Sequence, residues 1–210
     1  MTQRDAILDA VERYYSAKFD EHGPRAQGVD WNSAESQELR FVQFTHLFRQ
    51  ENDRFSINDL GCGYGAFAAF LQQHGYDARY TGYELSPAML EAARATFREN
   101  KDVQFVHGSI LEAADYSVAS GIFNVRLGFD EDEWRAYVEA TIDDLAGASR
   151  SGFAFNMLTS YSDPDRRRPD LYYTDPGAVF DLCKRRYSRQ VALLHDYGLW
   201  EFTIVVRGEQ

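Results

Sequence analysis

The chain has 210 residues and a formal charge of −11, with Asp and Glu outnumbering Lys and Arg by 33 to 22. Hydrophobic residues make up 44% and aromatics 15%, enough for a sizeable core in one domain, or one domain with a terminal extension. The acidic balance argues against a phosphate-tracking surface, which needs clustered positive charge, and Cys62 and Cys183 are too few for a disulfide framework or a zinc site of their own. The short basic runs Arg166-Arg167-Arg168 and Lys184-Arg185-Arg186 read as solvated faces, with contact to an acidic part of a substrate as the alternative. No run approaches transmembrane length and the first ten residues lack a signal-peptide core, so a soluble cytoplasmic protein is expected, with no membrane or nucleic-acid partner.

In chain order, residues 1–20 predict a helix with Ile7, Leu8, Val11, Tyr14 and Tyr15 on one side. An irregular polar segment follows over residues 20–33, and a second helix is predicted over 34–50 from the spacing of Leu39, Phe41, Val42, Phe44, Leu47 and Phe48. Strands and helices then alternate. Strands are predicted over 55–60, 78–84, 103–107, 119–125 and 153–158. Helices are predicted over 66–74, from Ser86-Pro87 to about residue 100, from Asp130 with its capping partner Glu133 to about 146, and from Asp175-Pro176 to about 185. Two final strands, 190–194 and 201–206, are joined by a link too short for anything but an antiparallel pair. The alternation predicts an α/β fold, a doubly wound and mostly parallel sheet of seven strands with a C-terminal antiparallel hairpin. Residues 1–50 form an N-terminal helical cap or lid in this reading, and residues 51–210 the Rossmann-like domain.

The sharpest local signal is Asp59-Leu60-Gly61-Cys62-Gly63-Tyr64-Gly65, where a strand meets a helix. Glycines there let the backbone turn tightly and lie against a ligand in space a Cβ would fill. The next strand ends about twenty residues on at Glu84, whose carboxylate can accept from both hydroxyls of a ribose. Gly61-x-Gly63-x-x-Ala66 also fits a dinucleotide site. Asp59 before the glycines suits an amino-acid ammonium, the turn has no phosphate-binding Lys or Arg, and the sheet leaves no chain for a separate substrate domain.

Residues 59–65 resemble motif I of class I methyltransferases, and Tyr83-Glu84-Leu85-Ser86 resembles their ribose-binding motif. The terminal hairpin is similar to the final strand pair of that fold, and the resemblance runs over residues 50–210 in the right order. It implies S-adenosylmethionine as cofactor. Gly61, Gly63 and Gly65 would flank its methionine part, Cys62 would pack within the turn, and Glu84 would hold the ribose. Leu85 and Met89 would lie against the adenine. Where the family often has a Gly-Asp pair this chain has Gly108-Ser109-Ile110, so Ser109 and the Ile110 N–H take that place. Asn124, at the end of the fourth expected strand, would lie nearest the methyl group.

Methyl transfer to a hydroxyl needs a base, and His22 and His195 are the candidates, one in the cap and one at the hairpin tip. Trp31 from the cap, with Asn156 and Tyr161 from the fifth strand and its loop, are candidate acceptor contacts. Tyr14, Tyr15 and Trp31 are the aromatic candidates to face the sulfonium. The chain has no Asn-Pro-Pro-Tyr, Asp-Pro-Pro-Tyr or Pro-Cys motif and no metal site of catechol-enzyme type, which leaves a small-molecule acceptor by elimination. An NAD(P)-binding oxidoreductase and a non-catalytic Rossmann-like module remain the alternatives.

Overall fold

The computed structural model describes residues 2–48 and 54–208. Its elements are α1 (Gln3–His22), α2 (Ala34–Thr45), β1 (Phe55–Leu60), α3 (Ala66–Gln73), β2 (Ala78–Glu84), α4 (Pro87–Thr96) and β3 (Val103–His107). Then come β4 (Ala114–Ala119), α5 (Glu131–Ala148), β5 (Ser149–Thr159), β6 (Tyr173–Thr174), α6 (Pro176–Arg186), β7 (Gln190–Leu194) and β8 (Glu201–Arg207). The sheet runs β3-β2-β1-β4-β5-β8-β7, with β6 as a two-residue addition beside β5, so among the described residues it has eight strands where seven were expected. Among these strands all pairings are parallel except β5–β8 and β7–β8, and β7–β8 is the expected closing hairpin.

Strand side chains alternate between two cores, as the pleat dictates. Ile57, Tyr80 and Ala154 face a core shared with α3 and α4, while Leu60, Tyr83, Phe153 and Phe155 face one shared with α5 and α6. The N-terminal helices join opposite cores. Ile7 of α1 packs with the α5–α6 side, and Phe41 and Phe44 of α2 pack with the α3–α4 side. The chain between them therefore crosses the sheet's C-terminal edge, partly as a short 3-10 turn over Ala26–Val29. The expected second helix ends earlier, at Thr45, where residues 46–48 turn out of it; its last two expected residues and the boundary drawn between residues 50 and 51 lie outside the described residues.

The caps explain where helices start. Thr2 and Asp5 form a capping box on α1, Ser33 and Ser36 one on α2, and the Ser86 hydroxyl accepts from the Met89 N–H at the start of α4. The main correction concerns β4. The strand lies over Ala114–Ala119 and not over 119–125. Residues beyond it leave the sheet at Gly121, with φ +76°, and bury Phe123 and Val125 in a turn. The Trp134 indole N–H of α5 donates to the Phe123 carbonyl at 3.0 Å. An apolar run fits such a buried turn as well as a buried strand. Other differences are smaller: α4 stops at Thr96, and β5 starts earlier, at Ser149.

A buried ion pair ties the cap to the sheet. The Arg40 guanidinium of α2 meets Glu201 of β8 through two nitrogens, Nε at 2.8 Å, and the two side chains are only 7% and 3% exposed. Removing one partner of such a pair strands the other charge away from water. Glu201→Ala is therefore expected to lower unfolding stability by about 3–5 kcal/mol in urea titration. Asp170→Ala, which removes the partner of the exposed Arg168, is expected to change it by less than about 1 kcal/mol.

Candidate active site

The glycine turn sits at the C-terminal end of β1. Gly61, Gly63 and Gly65 all have left-handed φ, at +74°, +56° and +85°. A Cβ at Gly61 would lie 2.4 Å from Ile122, and one at Gly63 would lie 3.0 Å from Val29 of the crossing segment. Gly65 serves a different purpose. It caps α3, and its Cβ would meet the rings of Phe97 and Phe105 beneath the turn.

A cavity with an empty volume of about 990 Å³, part of it open to solvent, lies over this turn. Asp59, Gly61, Cys62 and Gly63 line it, with Glu84, Leu85 and Met89 from the β2–α4 side and Ser109 from the loop after β3. The crossing segment roofs it with Val29 and Trp31, and α1 closes one side with Leu8, Glu12 and Tyr15. Trp31 lies so close over Gly121 that a Cβ there would be 2.4 Å from its ring. The other face of the arrangement is held by Arg40, whose guanidinium is 3.8 Å from the Trp31 ring centroid. Because that ring already carries a cation, Tyr15 is the better placed aromatic for a second one; Tyr14 does not line the cavity and donates its hydroxyl to Asp30 at 2.8 Å.

Glu84 is buried and heavily bonded. Its Oε2 accepts from the Gly63 N–H, and its Oε1 from the N–H groups of Leu85 and Ser86, each at 2.8 Å. Burial pushes its pKa up and the three donors pull it back. Asp59 accepts from the Tyr80 hydroxyl at 2.6 Å, yet burial, with the Glu84 charge adding to it, pushes it up to about 7. Burial likewise lifts the Cys62 thiol well above its ordinary value, so Cys62 is a packing residue and no ready thiolate. Gly82 of β2 makes room for it, since a Cβ there would be 2.6 Å from its sulfur.

Several expected residues lie elsewhere. Ile110 is 88% exposed and does not line the cavity. Asn124 is displaced because β4 ends five residues earlier, at Ala119; Ser120 takes the place beside the cavity. Among the described residues, Ser120 Oγ and Asn124 Oδ1 are the buried side-chain oxygens without a partner. Asn156 is committed at both ends, its Oδ1 accepting from the Gly121 N–H and its Nδ2 donating to Glu201, each at 2.7 Å. Tyr161 and His195 come together, ring centroids 6.0 Å apart, but on the surface near β7 and outside the cavity. His22 ends α1 beside Glu21 and does not line the cavity either. The sequence reading missed Glu12, although it shares a helical face with Leu8 and Tyr15, and a carboxylate on an apolar stripe is itself a signal. The Tyr64 hydroxyl donates to Gln37 of α2 at 2.9 Å.

The charge of the cavity is informative. Glu12, Asp59 and Glu84 line it, and the one cation among the described lining residues, Arg4, is paired with Asp144. That balance suits a ligand bearing sulfonium and ammonium groups and opposes a pyrophosphate. The glycine cradle, Glu84 and the carboxylate set thus fit S-adenosylmethionine. Among the described residues no group of three or more His, Cys, Asp or Glu gathers to hold a metal, and no helix is long and apolar enough to cross a membrane.

Comparison with known proteins points the same way. The family model described as a methyltransferase domain matches residues 57–145. "Putative methyltransferase Rv1506c" of Mycobacterium tuberculosis is 59% identical over 156 residues, covering 74% of this chain and 94% of the relative. Among solved structures, magnesium protoporphyrin IX methyltransferase of Synechocystis PCC 6803 with bound S-adenosylmethionine shares the fold, with a TM-score of 0.63 at 12% identity over 97% of each chain. The DhpI–SAM–HEP complex does so at a TM-score of 0.63 and 14% identity, over 96% of this chain and 97% of that one. With motif, cavity and a close relative in agreement, the chain belongs to the class I S-adenosylmethionine-dependent methyltransferases.

Proposed function

We propose that this methyltransferase acts on a small-molecule acceptor, at a hydroxyl or amine. The observation that carries the reading is partial enclosure: residues of α1, Val29 and Trp31 line the cavity over the glycine turn and narrow the crevice toward a small molecule. The lining is mostly apolar with a few placed carboxylates and backbone groups, the usual make-up of a small-ligand pocket. The net charge of −11 adds to the case against a nucleic acid.

When bound, S-adenosylmethionine supplies an activated methyl group on its sulfonium. The chain's own residues then have three tasks. Gly61 and Gly63 give the backbone room to approach the cofactor, Glu84 accepts from a ribose hydroxyl, and Leu85 and Met89 give the adenine an apolar wall. Asp59 pairs with the ammonium. Trp31 and Tyr15 exclude water and confine the acceptor, which matters because in-line displacement depends on alignment. The unpartnered Ser120 hydroxyl, at the end of β4, is the polar group best placed to orient an acceptor or the cofactor's amino-acid end. Neither His22 nor His195 reaches the cavity, so the base for a hydroxyl acceptor is sought elsewhere than in these two imidazoles.

Titration calorimetry should give micromolar binding of S-adenosylmethionine and none of NAD; the reverse would overturn the reading. A screen for S-adenosylhomocysteine release should find turnover with small hydroxyl or amine compounds, and turnover on RNA, DNA or protein alone would refute the acceptor class. Gly61→Ala should weaken cofactor binding by about tenfold or more, since its Cβ meets Ile122 and the left-handed φ is strained.

Cofactor affinity should also depend on pH. A cationic ammonium selects ionised Asp59, whose pKa in the free protein is raised to about 7. Protons compete below that value, so affinity falls as the pH drops through 7, by up to about tenfold per unit, and it falls again at higher pH once the ligand's ammonium loses its proton. Asp59→Asn should remove the fall on the acid side and leave weak binding at every pH.

A further inference from the structure

We propose that Glu12 of the cap helix is a second ribose ligand, completing with Glu84 a site that neither carboxylate supplies alone. The proposal rests on the cavity being the S-adenosylmethionine site and adds to it a residue outside both sequence motifs.

The argument starts from hydrogen-bond capacity. A carboxylate offers about four acceptor positions, two on each oxygen. Both positions on Glu84 Oε1 are filled, by the N–H groups of Leu85 and Ser86, and one on Oε2 is filled by Gly63. One position is left, while a ribose diol brings two donors. The second hydroxyl therefore needs another acceptor at the same end of the cavity.

Glu12 is held there. The Ser16 hydroxyl donates to Glu12 Oε1 at 2.8 Å and lies 2.7 Å from the Ser86 hydroxyl. Because Ser16 has a single O–H, the Ser86 hydroxyl donates to it in turn. Ser86 is the residue whose backbone N–H binds Glu84 Oε1, so a short relay through Ser16 and Ser86 joins the two carboxylates. Glu12 Oε2 carries no protein partner among the described residues, and Glu12 lines the cavity beside Leu8, Tyr15 and Leu85. The Glu12 charge also disfavours ionisation of Glu84. Two like charges facing one cavity, with the only lining cation committed to Asp144, are relieved by a ligand that brings donors between them. A ribose does so.

The placement has a consequence for the cap. Glu12 belongs to α1, which the Ser16–Ser86 hydrogen bond already holds on the β2–α4 turn, so the second carboxylate is in place before the ribose arrives.

The test uses S-adenosylhomocysteine, whose neutral sulfur removes attraction between Glu12 and a sulfonium, together with its 2′-deoxy and 3′-deoxy analogues. Calorimetry on the full chain should show Glu12→Gln binding S-adenosylhomocysteine about tenfold more weakly than wild type. With one of the two deoxy analogues, wild type and variant should bind equally. Unchanged far-UV circular dichroism and melting temperature would confirm that Glu12→Gln folds, and Glu12→Asp, which keeps the charge on a shorter stem, should recover part of the loss. Equal affinity of wild type and Glu12→Gln for S-adenosylhomocysteine would overturn the proposal. So would an undiminished gap with both deoxy analogues. Failure of wild type to bind either S-adenosylmethionine or S-adenosylhomocysteine would instead remove the cofactor site on which the proposal stands.

Discussion

The helix α2 is held to the sheet by the buried contact of Arg40 with Glu201, and the Trp31 wall of the cavity rests on that guanidinium. Glu201 also accepts from Asn156, whose amide oxygen receives the Gly121 N–H of the turn after β4. Arg40 stacks on Trp31, and Trp31 rests on Gly121. Four separate pieces of chain, α2, β5, β8 and the β4 turn, are thus fixed by one connected set of charged and amide groups. Each polar atom named in it has a partner, which is the condition under which a buried network rigidifies a structure without leaving a stranded charge.

The same arrangement explains why the cavity is partly covered where an open crevice would be the simplest outcome. The segment β3-to-β4, residues 108–113, crosses the sheet without a helix. The Glu112 N–H finds the Tyr83 hydroxyl at 3.0 Å, and its carbonyl accepts from the Asn58 amide at 2.6 Å. The face left bare by that short crossing is covered by α1, through Ile7, Leu8 and Val11. Since α2 covers the opposite face, the chain joining the two helices has to pass over the ends of the strands. A roof over the glycine turn follows from the placement of the two helices, and Val29 and Trp31 are the side chains that passage brings down onto the turn.

The cavity combines this enclosure with an acidic lining. Buried carboxylates are costly unless bonded or paired, and here the cost is partly met by backbone N–H groups at Glu84 and by Tyr80 at Asp59. What remains is a raised Asp59 pKa and an excess of acceptors over donors. Both are features of a site that awaits a cationic, donor-rich molecule, and S-adenosylmethionine, with sulfonium, ammonium and ribose hydroxyls, is such a molecule.

The sequence by itself determined the parallel sheet, the closing hairpin and the glycine turn with its flanking acids in place. Those features rest on local chemistry: period-two and helical spacing, caps at Ser86 and Asp130, and glycines at left-handed φ. Only the tertiary structure decided which residues enclose the cavity. The apolar run at 119–125 reads alike as strand or buried turn, so Asn124 was expected beside the cavity where Ser120 stands. Asn156 looked free because its partners, Gly121 and Glu201, are 35 and 45 residues away. Nothing local in the chain says that Glu12 would face a cavity and that Arg40 would be buried against β8. Local rules set elements and turns; which polar side chain is spent on the scaffold and which is left for a ligand depends on long-range partners that chain spacing does not encode.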